Sequence, residues 1–460
     1  MNLAASRERL RPWGAGALFG VYAAAIALAP DARVKAGLGL PAVVLPLAWW
    51  LLGTPHRWLA LFFGSALLLP PLPVALGDSG PHICLAFAGF GLLAGLLCLR
   101  DWRNDLRGPG APLAALAAIM LASVAAAVVV SGTTAALGSM ARVALFGIAV
   151  YVYFYPRVGA GASWIAGLFY LGALSALAAC IDFYYQFPAP AGYGPQFVWL
   201  DSGVFRRAQG VFYEASTLGN LCAFFLVMIA VALTSPREAR PLPRKMLLLA
   251  APIFVAALVL SYSRASLVNV LIALIVLAWI HRRRLRPRVL VIMAVCGATG
   301  GLLLWRIFPA FALIYWARLS ASAQYLFSAT EGVLSGRLAS WRTLLAWISG
   351  HPWQTLFGIG YKTLPYTNYL GAPVIADNMY LSLLVETGIA GLAALLWLNI
   401  AILRASARAA HRANPLRSFC GTWMLCFWAG EVVQMASGDI LTYWRILPLY
   451  FFVLAIAVRR

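Results

Sequence analysis

Three arginines carry the most telling chemistry in this chain of 460 residues. Arg207 stands with Arg206 at the head of RRAQGVFYEASTLGN, Arg264 lies within SYSRASL, and Arg337 opens GRLASWRTLLAWISG. A guanidinium is a permanent cation whose planar fork pairs bidentately with phosphate oxygens. Several such groups brought together would grip a multiply charged anion. Proton-transfer candidates sit near them: Asp377 first, then His351 and Glu214. A carboxylate or imidazole placed against a hydroxyl is worth roughly 100-fold to 10,000-fold in rate, although arginine neighbours would make Asp377 a weaker base. Asp377 could instead cap the helix that starts at Asn378. Lys362 and Asn378 are further candidates for contact with substrate, and a merely solvated lysine is the plainer reading of Lys362.

These residues must be positioned by membrane helices. A chain that is 63% hydrophobic and 11% charged, with mean hydropathy +0.84, cannot present a polar surface all round. The hydrocarbon core needs roughly 20 apolar residues per helix. About fourteen stretches qualify: 14–30, 36–53, 57–76, 82–99, 112–131, 137–155, 160–181, 212–234, 245–262, 265–281, 288–308, 379–403, 416–435 and 441–458. One short pair could form a re-entrant hairpin, so the expected range is 12 to 14. The fold class is all-α and polytopic, divided at 1–210, 211–308, a long partly helical loop at 309–378, and 379–460.

Loops rich in Lys and Arg stay in the cytoplasm. With the N-terminus inside, 23 of the 35 basic residues and four of the 14 acidic ones fall on that side, a balance of +19 out of +21. The charge is therefore topological and implies no nucleic acid partner. Lipid is the surrounding medium, and Arg142, Arg306 and Arg445 are expected to snorkel toward headgroups. The first stretch is expected to be a helix rather than a cleaved leader. Seven cysteines lie in or beside apolar segments without a C-x-x-C and read as small core residues. No His, Asp and Glu cluster has metal-ligand spacing, and no cofactor is expected.

Two stretches on the opposite, outer side are long. The first, 182–210, is rich in Pro, Gly and aromatics; the second, 309–377, is too aromatic to be disordered. Within it, residues 336–350 are expected to form one helix with Arg337, Trp341 and Leu345 on a face that settles into the headgroup layer. Glu386, inside the following apolar run, needs a partner. It would either steady one of the arginines or form a structural ion pair.

RRAQGVFYEASTLGN, SYSRASL, SGRLASWRTLLAWISGHPWQTLFGIGYKT and DNMYLSLLVETGIAGLAALL, in that order, resemble the successive motifs of the O-antigen ligase and O-antigen polymerase superfamily. The resemblance covers about residues 205–400. It implies a bacterial inner-membrane glycosyltransferase, metal-independent, with its site facing the periplasm. The donor would be an undecaprenyl-diphosphate-linked oligosaccharide and the acceptor a glycan or lipid A core. By resemblance Arg207, Arg264 and Arg337, with Arg206, hold the diphosphate. Ligases of this family place a histidine where this chain has Asp377, which favours a polymerase of O-antigen, capsule or exopolysaccharide over a ligase. A protein O-oligosaccharyltransferase fits the same motifs. A transporter of the same glycan would show internal repeats and midplane charges, and none is visible; a scaffold would not need the arginines.

Overall fold

The computed structural model describes residues 3–52, 55–72, 81–97, 106–154, 161–190, 193–200, 203–282, 337–368, 370–371 and 373–458, with isolated positions between 302 and 320. The chain is an all-α polytopic membrane protein. Hydrocarbon offers no hydrogen bonds to a backbone, so the apolar runs close their own as helices. They are α1 (Leu3–Leu28), α2 (Ala32–Leu52), α3 (Pro55–Leu68), α4 (Cys84–Leu97), α5 (Gly110–Ser131), α6 (Thr133–Phe154), α7 (Ala162–Tyr185), α8 (Ala215–Thr234), α9 (Arg244–Leu260) and α10 (Arg264–Ile280). After the loop come α11 (Arg337–Gly350), α12 (Pro352–Phe357), α13 (Met379–Ala410), α14 (Pro415–Gln434) and α15 (Leu447–Val458). Among the described residues six helices are long and apolar enough to cross a membrane: α2, α5, α6, α7, α8 and α13. The stretch expected at 288–308, and the loop as far as 336, lie almost wholly outside the described residues.

Helix α8 runs through the middle of the bundle, with Leu218, Leu221, Phe224, Phe225 and Met228 fully buried. Phe224 is a hub: its ring centroid lies 4.2 Å from Trp423, 4.8 Å from Phe427 and 4.6 Å from Tyr450. The Trp423 indole donates to the Phe224 carbonyl at 2.8 Å, satisfying a polar group that would otherwise be costly at this depth. Four of the five described cysteines are buried and all five are free thiols, as small core residues should be.

The aromatic loop before α8 is not helical. β1 (Phe197–Leu200) and β2 (Gly203–Arg206) form an antiparallel hairpin with Phe197 opposite Arg206. Gln209, 2% exposed, stitches it to the helix start: its amide donates to the carbonyls of Gly194 and Tyr213, and its Oε1 accepts from Gln196 N.

The second loop folds on a small core of its own, Leu344 of α11 with Ile359, Leu364, Ala376 and Val385. The residues expected in the headgroup layer divide between inward and outward positions. Leu344 is fully buried while Leu345 is 54% exposed, and the Trp341 indole donates to the Ala376 carbonyl at 2.7 Å. The loop finds its seat at a break in α13, where Gly388 has φ 74°. The break frees carbonyls that Ile359 N (to Val385, 3.1 Å) and Gly360 N (to Glu386, 2.9 Å) take up. A side chain on Gly388 would strike the Leu356 carbonyl, and one on Gly358 (φ 80°) the Glu386 carbonyl, so only glycine permits this approach.

Candidate active site

Helices α8, α10 and α13 begin at the same end of the bundle, and their first residues frame the site. Helix N-termini present unpaired N–H groups and partial positive charge, a setting that favours anions.

SYSRAS builds the turn from α9 to α10. Tyr262 adopts a left-handed conformation (φ 52°), and Ser263 caps α10 by accepting from Ser266 N at 3.4 Å. Arg264 is thereby the first residue of α10. Arg207 reaches this turn from the hairpin: its Nε donates to the Ser261 carbonyl at 2.8 Å, and the next backbone N–H, of Ala208, donates to Leu260 at 2.9 Å. Arg337 arrives from α11. The three guanidinium groups feel one another. Burial lowers the pKa of Arg207; Tyr443 and Glu214 oppose that, while the charges of Arg337 and Arg264 reinforce it. Crowded cations of this kind favour an anion between them. Arg206 faces the other way, as strand alternation requires, and pairs with Asp182 at 3.7 Å.

The acid–base candidates separate clearly. Glu214 immediately precedes α8 and accepts from the Thr217 hydroxyl at 2.6 Å. Burial pushes its pKa above the ordinary glutamate value, with Thr217 and Arg207 opposing and the carboxylates of Asp439 and Asp377 adding to the rise. Asp377, held at φ 43°, is engaged by Arg337, whose Nε donates to Oδ2 at 2.9 Å. The cap of α13 is Asn378, whose Oδ1 accepts from Tyr380 N and Leu381 N, so the capping role considered for Asp377 belongs to its neighbour and Asn378 is occupied in this way. His351 is not brought to the arginines. Its Nδ1 pairs with the Trp347 carbonyl at 2.9 Å and its ring stacks on Trp347, the bonds of a turn element.

Lys362 is 8% exposed, turned inward to an ion pair with Asp439, and held at φ 59°. Burial alone would lower its pKa; Asp439 and Glu386 outweigh that and raise it. Glu386 accepts from the Leu364 backbone N–H at 3.3 Å in the same loop, a contact that is neither the arginine support nor the ion pair considered for it.

Residues 246–396 match the family model described as O-antigen ligase. This match, over about a third of the chain, supports the resemblance to the O-antigen ligase and polymerase superfamily. No curated protein matches the chain. The matched segment contains Arg264, Arg337, Lys362, Asp377 and Glu386, while Arg207 and Glu214 precede it.

Three site residues escaped sequence reading, all between α14 and α15 beyond the matched segment. Asp439 pairs with Lys362. Tyr443, 5% exposed, is hydrogen-bonded to Ser216 beside Glu214. Arg445 was expected to snorkel and does the opposite: it is 6% exposed and donates to the carbonyls of Ala66 (2.6 and 3.0 Å), Leu69 (2.7 Å) and Val211 (2.7 Å). Burial pulls its pKa down to about 10. Through Val211 it steadies the turn that carries Glu214. The only sequence signal was a cluster of charges, GDILTYWR, in a short loop between apolar runs. Four of the five described non-glycine residues with positive φ, namely Tyr213, Tyr262, Lys362 and Asp377, lie in or next to this site. Strained backbone persists where surrounding contacts enforce it, and such positions concentrate at functional sites.

Proposed function

We propose that the protein transfers an oligosaccharide from undecaprenyl diphosphate to a sugar hydroxyl at the periplasmic face of the bacterial inner membrane, as the polymerase of an O-antigen, capsule or exopolysaccharide. The observation that carries this reading is the meeting of Arg207, Arg264 and Arg337, from three separate parts of the chain, beside one buried carboxyl group, Glu214.

The reaction breaks the bond between the anomeric carbon and a diphosphate oxygen, and the electron pair stays on that oxygen. The arginines bind and neutralise the growing charge in a site partly closed to water, where such interactions are strongest. The acceptor oxygen forms the new bond to the anomeric carbon, and its proton passes to Glu214. Glu214 suits the base role better than Asp377, because burial has already raised its proton affinity while Asp377 is committed to Arg337. Because the protein supplies these cations itself, the reaction needs no divalent metal.

Asp377 stands where ligases of the superfamily carry a histidine, which favours the polymerase. Incubating the purified protein with a labelled lipid-linked repeat tests the reading. Ladders of longer product without added acceptor are expected. Product only when lipid A core is supplied would make it a ligase, and no glycosidic product with either would overturn the proposal.

A further inference from the structure

The reaction requires an acceptor sugar to approach Glu214, and one feature beside it is not absorbed by the donor chemistry. Helix α7 ends in a cluster of exposed rings. Tyr184, Tyr185 and Phe187 are 78%, 66% and 54% exposed. The Tyr185 and Phe187 rings are stacked at 6.0 Å and 19°, and Tyr184 stands edge-on to Tyr185 at 5.0 Å. Gln186 between them is held at φ 54°, the conformation that folds Phe187 back over Tyr185.

The cluster surrounds polar groups rather than more hydrocarbon. The Asp182 carboxylate accepts from the Phe187 backbone N–H and pairs with Arg206. Arg206 Nε is buried with no hydrogen-bond partner among the described residues. A buried donor left unpaired is costly, so an acceptor from a ligand would be welcome there. The field of Asp182 reaches Tyr213, whose ring lies 5.2 Å from Tyr193. Tyr213 is the residue before Glu214. The surface thus runs from the exposed stack, past one ion pair of zero net charge, to the carboxyl group.

We infer that the end of α7 together with Arg206 and Tyr213 forms the acceptor subsite, a platform for a neutral saccharide. Flat rings pair with the apolar C–H faces of a sugar, and a fixed carboxylate with a guanidinium pairs with its hydroxyls; a few placed polar groups among aromatic rings mark small-molecule sites generally. An ion pair without net charge suits an uncharged sugar better than an acidic one. Aromatic residues that merely anchor a helix at the membrane interface have no use for the Asp182–Arg206 pair or for the strained turn at Gln186.

This subsite rests on the glycan-transfer reading. Its test uses the full chain in lipid nanodiscs, with the labelled lipid-linked repeat as donor. The acceptor is the free oligosaccharide released from that lipid by mild acid. For Tyr185→Ala combined with Phe187→Ala, the acceptor KM should rise at least tenfold while the donor KM stays within twofold. Tyr185→Trp, which keeps a flat ring, should hold the acceptor KM close to that of the unaltered protein. An unchanged acceptor KM in the double variant, or acceptor and donor KM rising together, would overturn the subsite. Loss of membrane insertion without a change in acceptor KM would show interfacial anchors instead. Product from the unaltered protein with an insensitive acceptor KM sinks the subsite alone, whereas no product from the unaltered protein sinks both proposals.

Discussion

Arg337 Nε donates to Asp377 Oδ2 across 2.9 Å, fastening the start of α11 to the residue before the cap of α13. Both partners are partly open to solvent, at 28% and 44%. Asp377 therefore holds Arg337 beside Arg207 and Arg264 without burying it, and an arriving anion can compete for the guanidinium.

Removing any one of the three arginines should abolish most transfer. Loss of a preorganised charged donor costs about 3 to 4 kcal/mol at the transition state, on the order of 100-fold to 1,000-fold in rate. Arg264→Ala, Arg207→Ala and Arg337→Ala, each at normal membrane level, should show it with the labelled donor. Near-normal product from Arg264→Ala would refute the clamp.

Glu214→Gln should lose roughly 100-fold or more, and Asp377→Asn clearly less. A base works only when deprotonated, and the pKa of Glu214 is raised, so activity should fall away on acidification while pH is still above the ordinary glutamate range of about 4.3. The linkage to stability has the opposite sense. Charging a buried carboxyl costs stability from the unfolded pKa up to the folded one and stays lost above it. Glu214→Gln should therefore melt higher than the unaltered protein at neutral pH, as groups kept for function often do. A pH–rate profile and melting curves at acidic and neutral pH check both signs.

Gly388→Ala should unseat the second loop. The new methyl meets the Leu356 carbonyl in a backbone conformation that alanine adopts poorly, a cost of about 1–3 kcal/mol before any clash. Thermal melting should drop and transfer should fall with it, because Lys362 and Asp377 depend on the same fold.

Arg445→Met should destabilise strongly. It orphans the buried Ala66 carbonyl, a cost of about 1–3 kcal/mol, and removes bonds to the part-buried carbonyls of Leu69 and Val211. Were Arg445 at the lipid surface, the substitution would be nearly silent, so melting of the variant decides the point.

Transfer should persist in EDTA. Activity lost in chelator and restored by magnesium would contradict the metal-free reading.

Much of this was legible along the chain. Runs of apolar residues spell helices because hydrocarbon forbids any other open backbone, and the uneven distribution of arginines marks the loops. The motif arginines could be singled out by residue type, since a permanent fork-shaped cation pairs well with phosphate oxygens. Those properties belong to consecutive residues. The rest depends on which distant segments meet. Arg207 and Arg206 are indistinguishable in sequence, and one strand's alternation sends the first to the Ser261 turn and the second to Asp182. Lys362 looked available for substrate until Asp439, in a loop between later helices, claimed it. Arg445 read as a surface residue until three carbonyls from remote segments closed round it. Glu214 owes its raised pKa to burial that exists only once the helices have packed. Local composition decides what a side chain can do, while tertiary packing sets the dielectric around it and the partners within reach, and those two quantities select the role.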